Sequence, residues 1–200
     1  MRNENYDIPS VKTRYGDYLF RSKLEAKWAV FMDLLCVSYK YEPEKAVVGV
    51  NFFECTYIPD FFLDEIELYL EIKPRLPVDK ELRKAAAWAN VMGNVVFFHE
   101  LAPNNGRKMS YSSEGSPIYS RDDWWWSECP RCLKIDIAFK GIPTCGCYSE
   151  EELDKMSGGG LKDIDFEKTK NILNAFSIAK NYKFVTPKKI APLNRRFGLL

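Results

Sequence analysis

Histidine is nearly absent from this chain: His99 is the only one in 200 residues. Metal triads built from several imidazoles are therefore excluded, and Ser/His/Asp hydrolysis has no surrounding motif. His99 follows an apolar strand and could reach a site only from that strand's end. No Gly-rich phosphate loop is present, so the chain does not read as an ATPase. No apolar run approaches the roughly 20 residues that a membrane-crossing helix needs. The first residues, Met1-Arg2-Asn3-Glu4-Asn5, lack the apolar stretch of a secretion signal. The expectation is a cytoplasmic protein with no membrane contact, or a nuclear one if the host has a nucleus.

Net charge is also slight, at +1, so no global excess points to a partner. The charge is unevenly spread, however. Residues 1–105 carry 13 Lys and Arg against 16 Asp and Glu, and residues 106–200 carry 16 against 12. From Lys168 onward there are eight basic residues and no acidic one. That tail either engages phosphates or is simply solvated. Hydrophobic residues at 46% and charged residues at 28% are ordinary for a soluble protein. The length suits one good core, or a compact domain with a small module.

The clearest element is a first helix. Ser22 and Glu25 form a capping box, and Leu24, Trp28, Phe31, Met32 and Leu35 recur at helical spacing. A short Tyr-rich strand at Ser38–Glu42, ended by Pro43, and an apolar stretch at Val47–Phe53 follow, with Gly49 placed for a bulge. Two strands, about Thr56–Leu63 and Ile66–Lys73, join through Asp64-Glu65 and end at Pro74 and Pro77. A second helix begins near Asp79, with Leu82, Ala85, Ala86 and Ala89 on its packing face, and stops by Gly93-Asn94. Val95–Phe98 reads as a buried central strand. Pro103–Pro117 reads as a loop or exposed hairpin that closes this unit.

Two short pieces carry the chemistry, Tyr57-Ile58-Pro59-Asp60-Phe61 and Glu71-Ile72-Lys73. Side chains alternate along a strand, so Glu71 and Lys73 share a face while Ile72 turns to the core. Ile58, Phe62, Ile66, Leu68, Leu70 and Ile72 make these core strands, where charges cost energy unless paired or metal-bound. Two carboxylates and an amine on a sheet edge are what metal-dependent phosphodiester hydrolysis requires. Lys80, Arg83 and Lys84 at the second helix, and Tyr18, Arg21 and Ser22 before the first, are further candidates for phosphate contact. A solvated face is the alternative for the helix.

The spacing Pro59-Asp60, ten residues, then Glu71-Ile72-Lys73, within helix–three strands–helix–strand, resembles the PD-(D/E)XK nuclease superfamily. The acid in Arg21-Ser22-Lys23-Leu24-Glu25-Ala26-Lys27-Trp28 extends the resemblance. It implies a restriction-endonuclease-like α/β core, with a mixed sheet flanked by helices, that cleaves DNA using Mg2+ or Mn2+ and leaves a 5′-phosphate. It casts Asp60 and Glu71 as metal-binding carboxylates, Lys73 as the catalytic lysine, and Glu25 as the helical acid. The Ile72 carbonyl would supply another metal oxygen. Glu25 has a second reading, as the capping partner of Ser22. Many relatives act as homodimers, although no dimer surface is marked here. A fold retained only for nucleic-acid binding, and an RNA-directed nuclease, remain the rivals.

Six cysteines occur, four of them as Cys129-Pro130-Arg131-Cys132 and Cys145-Gly146-Cys147, twelve residues apart. Two thiolate pairs around a short hairpin match a closed four-sulfur zinc site. Ile135–Phe139 and Gly141-Ile142 would supply the hairpin. Cys36 and Cys55 read as core residues. Such a module could clamp DNA, dock the last helix or bind a protein partner. Trp124-Trp125-Trp126 would pack against it or stack on bases. The expected organisation is a nuclease core over 1–105, a linker over 106–126 and a zinc module over 127–150. Residues 151–200 would hold a flexible Gly158-Gly159-Gly160 link, a helix over about Asp165–Asn181 and a basic tail. This arrangement resembles small nuclease-like proteins of bacteriophages and bacteria.

Overall fold

The structure is a computed structural model that describes residues 10–50, 53–111, 117–119, 124–142, 144–157 and 169–185. In chain order its elements are β1 (Thr13–Tyr15), β2 (Tyr18–Phe20), α1 (Lys23–Leu34), β3 (Lys40–Tyr41), β4 (Ala46–Val50), β5 (Phe53–Tyr57) and β6 (Phe61–Leu63). They continue with β7 (Leu68–Lys73), α2 (Asp79–Ala89), β8 (Val95–His99), β9 (Gly106–Tyr111), β10 (Pro117–Tyr119), β11 (Trp124–Glu128), β12 (Ile135–Phe139), α3 (Glu150–Ser157) and α4 (Lys170–Asn181).

Strands β12-β11-β9-β8-β7-β6-β3 form one sheet in that order, with β10 beside β9. Its pairs are antiparallel except β7 and β8, which run parallel and are joined through α2. The molecule is thus mixed α/β with a mostly antiparallel sheet.

Alternation along β7 and β8 divides the core in two. Leu68, Leu70, Ile72, Val96 and Phe98 meet α1 and α4 through Trp28, Phe31, Met32, Ile172 and Ala179. Tyr69, Val95, Phe97 and Met109 meet α2 and the β4–β5 hairpin through Ala85, Trp88, Val48 and Tyr57. Ala85 and Ala86 are fully buried, and their small side chains let α2 approach the sheet closely. Lys27 donates to the Lys180 carbonyl, tying α1 to α4.

Several expectations need correction. The strand expected over Thr56–Leu63 is two strands, because Pro59 lacks the N–H that a ladder needs. Its first part, β5, pairs with β4 outside the main sheet. Gly49 makes no bulge, since it pairs with Glu54 in unbroken register. β7 starts two residues late, after Glu67 adopts a left-handed turn with φ 54°. The supposed linker contributes β9 and β10, and β11 and β12 continue the same sheet. The boundaries at 105/106 and 126/127 therefore fall inside one sheet. Gly106 is required there, because a Cβ would strike the Trp124 carbonyl and the Phe98 ring.

β12 pairs with β11, not with Gly141-Ile142 as the hairpin reading had it. Residues 150–157 form α3, a helix not expected from the sequence, capped by Ser149 Oγ accepting the Glu152 N–H at 3.2 Å. On α4 the buried residues are Ile172, Ala175 and Ala179, while Leu173 is 46% exposed. Gly158-Gly159-Gly160, the expected helix start at Asp165 and the tail beyond 185 lie outside the described residues.

Trp126 is fully buried in the main core rather than on the cysteine module. Its ring lies 6.3 Å from Trp28, nearly parallel, and edge-on to Phe31 at 5.3 Å. Trp126→Ala is expected to destabilise the fold by about 3–5 kcal/mol, as a large cavity that cannot collapse. Urea unfolding checks this, and a loss below about 1 kcal/mol would contradict the packing.

Candidate functional site

The β6–β7 ladder ends at Phe61↔Leu70, just as Pro59-Asp60 turns the chain away. Beyond that point the Ile72 N–H donates to Asp60 Oδ2 at 2.7 Å. A side chain thus completes what the interrupted ladder leaves open. Asp60 Oδ1 receives Arg21 Nη2 at 2.5 Å, and the residue is only 2% exposed. Glu71 and Lys73 leave β7 on one face, as alternation requires. Lys73 Nζ lies 2.5 Å from Glu71 Oε1, and the Tyr57 hydroxyl donates to Glu71 Oε2 at 3.1 Å. Asp60, Glu71 and Lys73 are therefore gathered around the end of β7.

Glu25 is buried at the start of α1 and acts first as a cap. Its N–H donates to Ser22 Oγ at 3.1 Å, and its carboxylate accepts Ser22 Oγ at 2.7 Å. It also accepts the Tyr41 hydroxyl at 2.6 Å and the Arg21 N–H at 3.1 Å. Arg21 joins the two carboxylates, its backbone on Glu25 and its guanidinium on Asp60. Arg21 Nε also reaches Glu42 Oε1 at 2.7 Å.

Burial pushes the Asp60 carboxyl well above the usual carboxylate range, and the negative charges of Glu71 and Glu25 add to this. Lys73 and Arg21 oppose the shift. Burial of Lys73 disfavours its ammonium, but Glu71 and Asp60 outweigh that and hold it charged. Burial and Glu71 together raise the Tyr57 phenol far above its ordinary value. A carboxyl raised on folding favours the folded state most when both states are protonated. In EDTA, the Asp60 contribution is expected to fall as pH rises from about 4 towards its folded value. Chemical denaturation of wild type and Asp60→Asn across that range checks it. A wild-type-minus-variant difference that grows with pH would reverse the sign.

His99 sits beside Lys73 in the β7–β8 register. Lys80 is exposed, and Arg83 Nε pairs with Asp79 at 2.7 Å within α2. Tyr18 packs with Phe20, Tyr39 and Tyr41. Lys108 Nζ lies 4.4 Å from the centre of the Trp124 ring. The partners that sequence reasoning missed are Tyr57, Tyr41 and Glu42. Tyr57 stood three residues before Asp60, but only the tertiary fold aims its hydroxyl at Glu71.

A second cluster lies at the sheet's edge. The sulfurs of Cys129, Cys132, Cys145 and Cys147 all fall within 4.8 Å of one another. Among the described residues no other group of three or more His, Cys, Asp or Glu side chains meets that spacing. The first turn closes through Leu133 N–H to Cys129 O at 2.7 Å and Cys129 N–H to Lys134 O at 2.9 Å. Gly146, with φ 73°, allows the second turn. Arg131 lies 4.0 Å from the Tyr148 ring and bonds Glu152 at 2.7 Å, tying the first turn to α3.

Burial works against a Cys129 thiolate, yet the N–H groups of Cys132 and Arg131 bring its pKa down to about 7. Hydrogen bonds with Cys132 and Cys145 push Cys147 up to about 12. Four converging soft sulfurs suit a tetrahedral structural zinc ion. Cys55 is half-buried beside α2, but Cys36 is exposed in a left-handed turn after α1, against the core reading.

No family model, curated protein or solved structure matches the chain. Among the described residues no helix is long and apolar enough to cross a membrane.

Proposed function

We propose that this protein is a metal-dependent deoxyribonuclease of the PD-(D/E)XK type, with a zinc ion held by its four cysteines for structure. The carrying observation is the meeting of Asp60, Glu71 and Lys73 around the Ile72 N–H. Within the main sheet the order α1, β3, β6, β7, α2, β8, with β7 and β8 parallel and the β4–β5 hairpin set between β3 and β6, supports the restriction-endonuclease-like reading. So does the cost of the arrangement: three nearly buried carboxylates are a poor way to stabilise a fold.

The donor set fits magnesium or manganese, since Asp60 and Glu71 offer hard anionic oxygens and the Ile72 carbonyl lies between Glu71 and Lys73 in sequence. A bound divalent ion would supply Lewis-acid polarisation of the phosphate and a more acidic water. Glu71 and Asp60 keep the Lys73 ammonium charged, so it can stabilise negative charge building on the phosphate or orient a water. Tyr57 fixes the other Glu71 oxygen, and Glu25 positions Arg21 and the start of α1. The partner is DNA, with RNA as the alternative substrate.

The test incubates the full chain with supercoiled plasmid, circular single-stranded DNA and RNA in Mg2+, in Mn2+ and in EDTA. DNA cleavage in either metal that disappears in EDTA and in Asp60→Ala supports the reading. No cleavage by wild type in either metal overturns the reading in favour of the non-catalytic binding protein, and equal cleavage by the variant overturns the assignment of the site to Asp60.

A further inference from the structure

Arg21 links two carboxylates from separate parts of the chain. Its guanidinium bridges Asp60, whose side chain is 3% exposed, and Glu42, yet is itself 47% exposed. Its backbone is pinned separately, the N–H meeting Glu25 Oε2 at 3.1 Å and the Tyr41 hydroxyl at 2.9 Å. The main chain is therefore fixed at the entrance to α1 while the side chain stands at the mouth of the site. A guanidinium has five donors in a planar fork, and two nitrogens engage these carboxylates.

We propose that Arg21 is a gate and phosphate clamp: it holds Asp60 in the metal-free protein and turns to a DNA phosphate when a divalent ion takes Asp60. This deepens the nuclease reading and rests on it. Asp60 Oδ1 cannot serve a guanidinium and a divalent ion equally, because the two cations repel at such range. Glu42 holds Arg21 Nε and acts as the pivot, so loss of the Asp60 bond frees the Nη groups rather than the whole side chain. A half-exposed fork beside the reacting phosphate is suited to two-point recognition of phosphate oxygens, which an ammonium cannot reproduce. A merely structural Arg21 would also compete with a metal for Asp60, but it would give no loss of DNA affinity confined to the metal-bound state.

The experiment uses the full zinc-loaded chain as wild type, Arg21→Gln and Arg21→Lys. Manganese binding is titrated calorimetrically without DNA, with Asp60→Ala as the blank. Arg21→Gln is expected to bind Mn2+ about tenfold more tightly, because a charge-assisted competitor for Asp60 is gone. Arg21→Lys is expected to return the affinity towards that of wild type. Duplex affinity is then measured in Ca2+ and in EDTA. Both variants are expected to bind DNA about tenfold more weakly in Ca2+ and unchanged in EDTA, where Arg21 is occupied by Asp60.

Manganese affinity that is unchanged or weaker in Arg21→Gln overturns the gate. Equal losses of DNA affinity with and without Ca2+ overturn the clamp. These binding arms need no turnover, so failure of cleavage by wild type overturns the nuclease reading separately. Arg21→Lys keeps a cation against Asp60 and serves if the glutamine variant is unstable.

Discussion

Lys73→Ala is expected to lower magnesium-dependent DNA cleavage by on the order of 10³-fold, the scale for losing one preorganised group that stabilises developing charge. The same substitution leaves Glu71, 4% exposed, with the Tyr57 hydroxyl and no cation at 2.5 Å. Removing one member of such a pair costs about 3–5 kcal/mol when the survivor stays charged, and less if it takes up a proton. A drop in activity alone would therefore be ambiguous. The double variant Glu71→Gln, Lys73→Met removes both charges at nearly constant volume. It is expected to regain most of the stability lost in Lys73→Ala and none of the cleavage. Urea midpoints and initial cleavage rates, measured on the same preparations, separate the two effects. Cleavage returning in the double variant would show that neither Glu71 nor Lys73 takes part in the chemistry and that both act only by supporting the fold.

Metal analysis is expected to find one zinc per chain, and removing it to be the most damaging single change to the fold. Structural zinc sites are worth about 10–16 kcal/mol in small peptides at neutral pH. Whole domains are stable by only about 5–15 kcal/mol. Cys129→Ser should therefore release the metal and lose the packing of β11, β12 and α3, seen as a fall in protection of their amides from exchange. Because β11 also carries Trp126 into the main core, near-ultraviolet circular dichroism of the stacked tryptophans should fall as well. Cys36→Ser and Cys55→Ser should retain zinc. Folded protein of full stability with no zinc would sink this reading.

How much of this could be seen in the sequence depended on the range of each interaction. The face shared by Glu71 and Lys73 was legible, because alternation is local and the flanking Leu70 and Ile72 mark the core. The capping pair Ser22 and Glu25 was legible for the same reason. Asp60 meeting the Ile72 N–H was not, since it requires the ladder to break at Pro59 and β6 to fold back on β7. The hairpin reading of Pro103–Pro117 is met by the pairing of β9 with β10, but the place of β9 inside the main sheet was not legible, because Gly106-Arg107-Lys108-Met109-Ser110-Tyr111 looks like a polar segment when its neighbours are unknown. Trp126 was misplaced by proximity along the chain: three residues from Cys129, it instead turns towards Trp28. α3 was missed despite a usable sign, since Ser149 and Glu152 have the spacing of the box that was read correctly at Ser22.

The way β9 is bordered has a further consequence. β8 lies on one side of it, and β10 and β11 share the other, β11 through the contact of Trp124 with Gly106. Were β11 and β12, the strands on either side of the first cysteine turn, absent, part of that border and the slot now filled by Trp126 would face solvent. Unpaired backbone beside an apolar hollow is a template for another chain. The strands that frame the first cysteine turn thus also cover an edge open to self-association, and a chain shortened before Trp124 would be prone to aggregate.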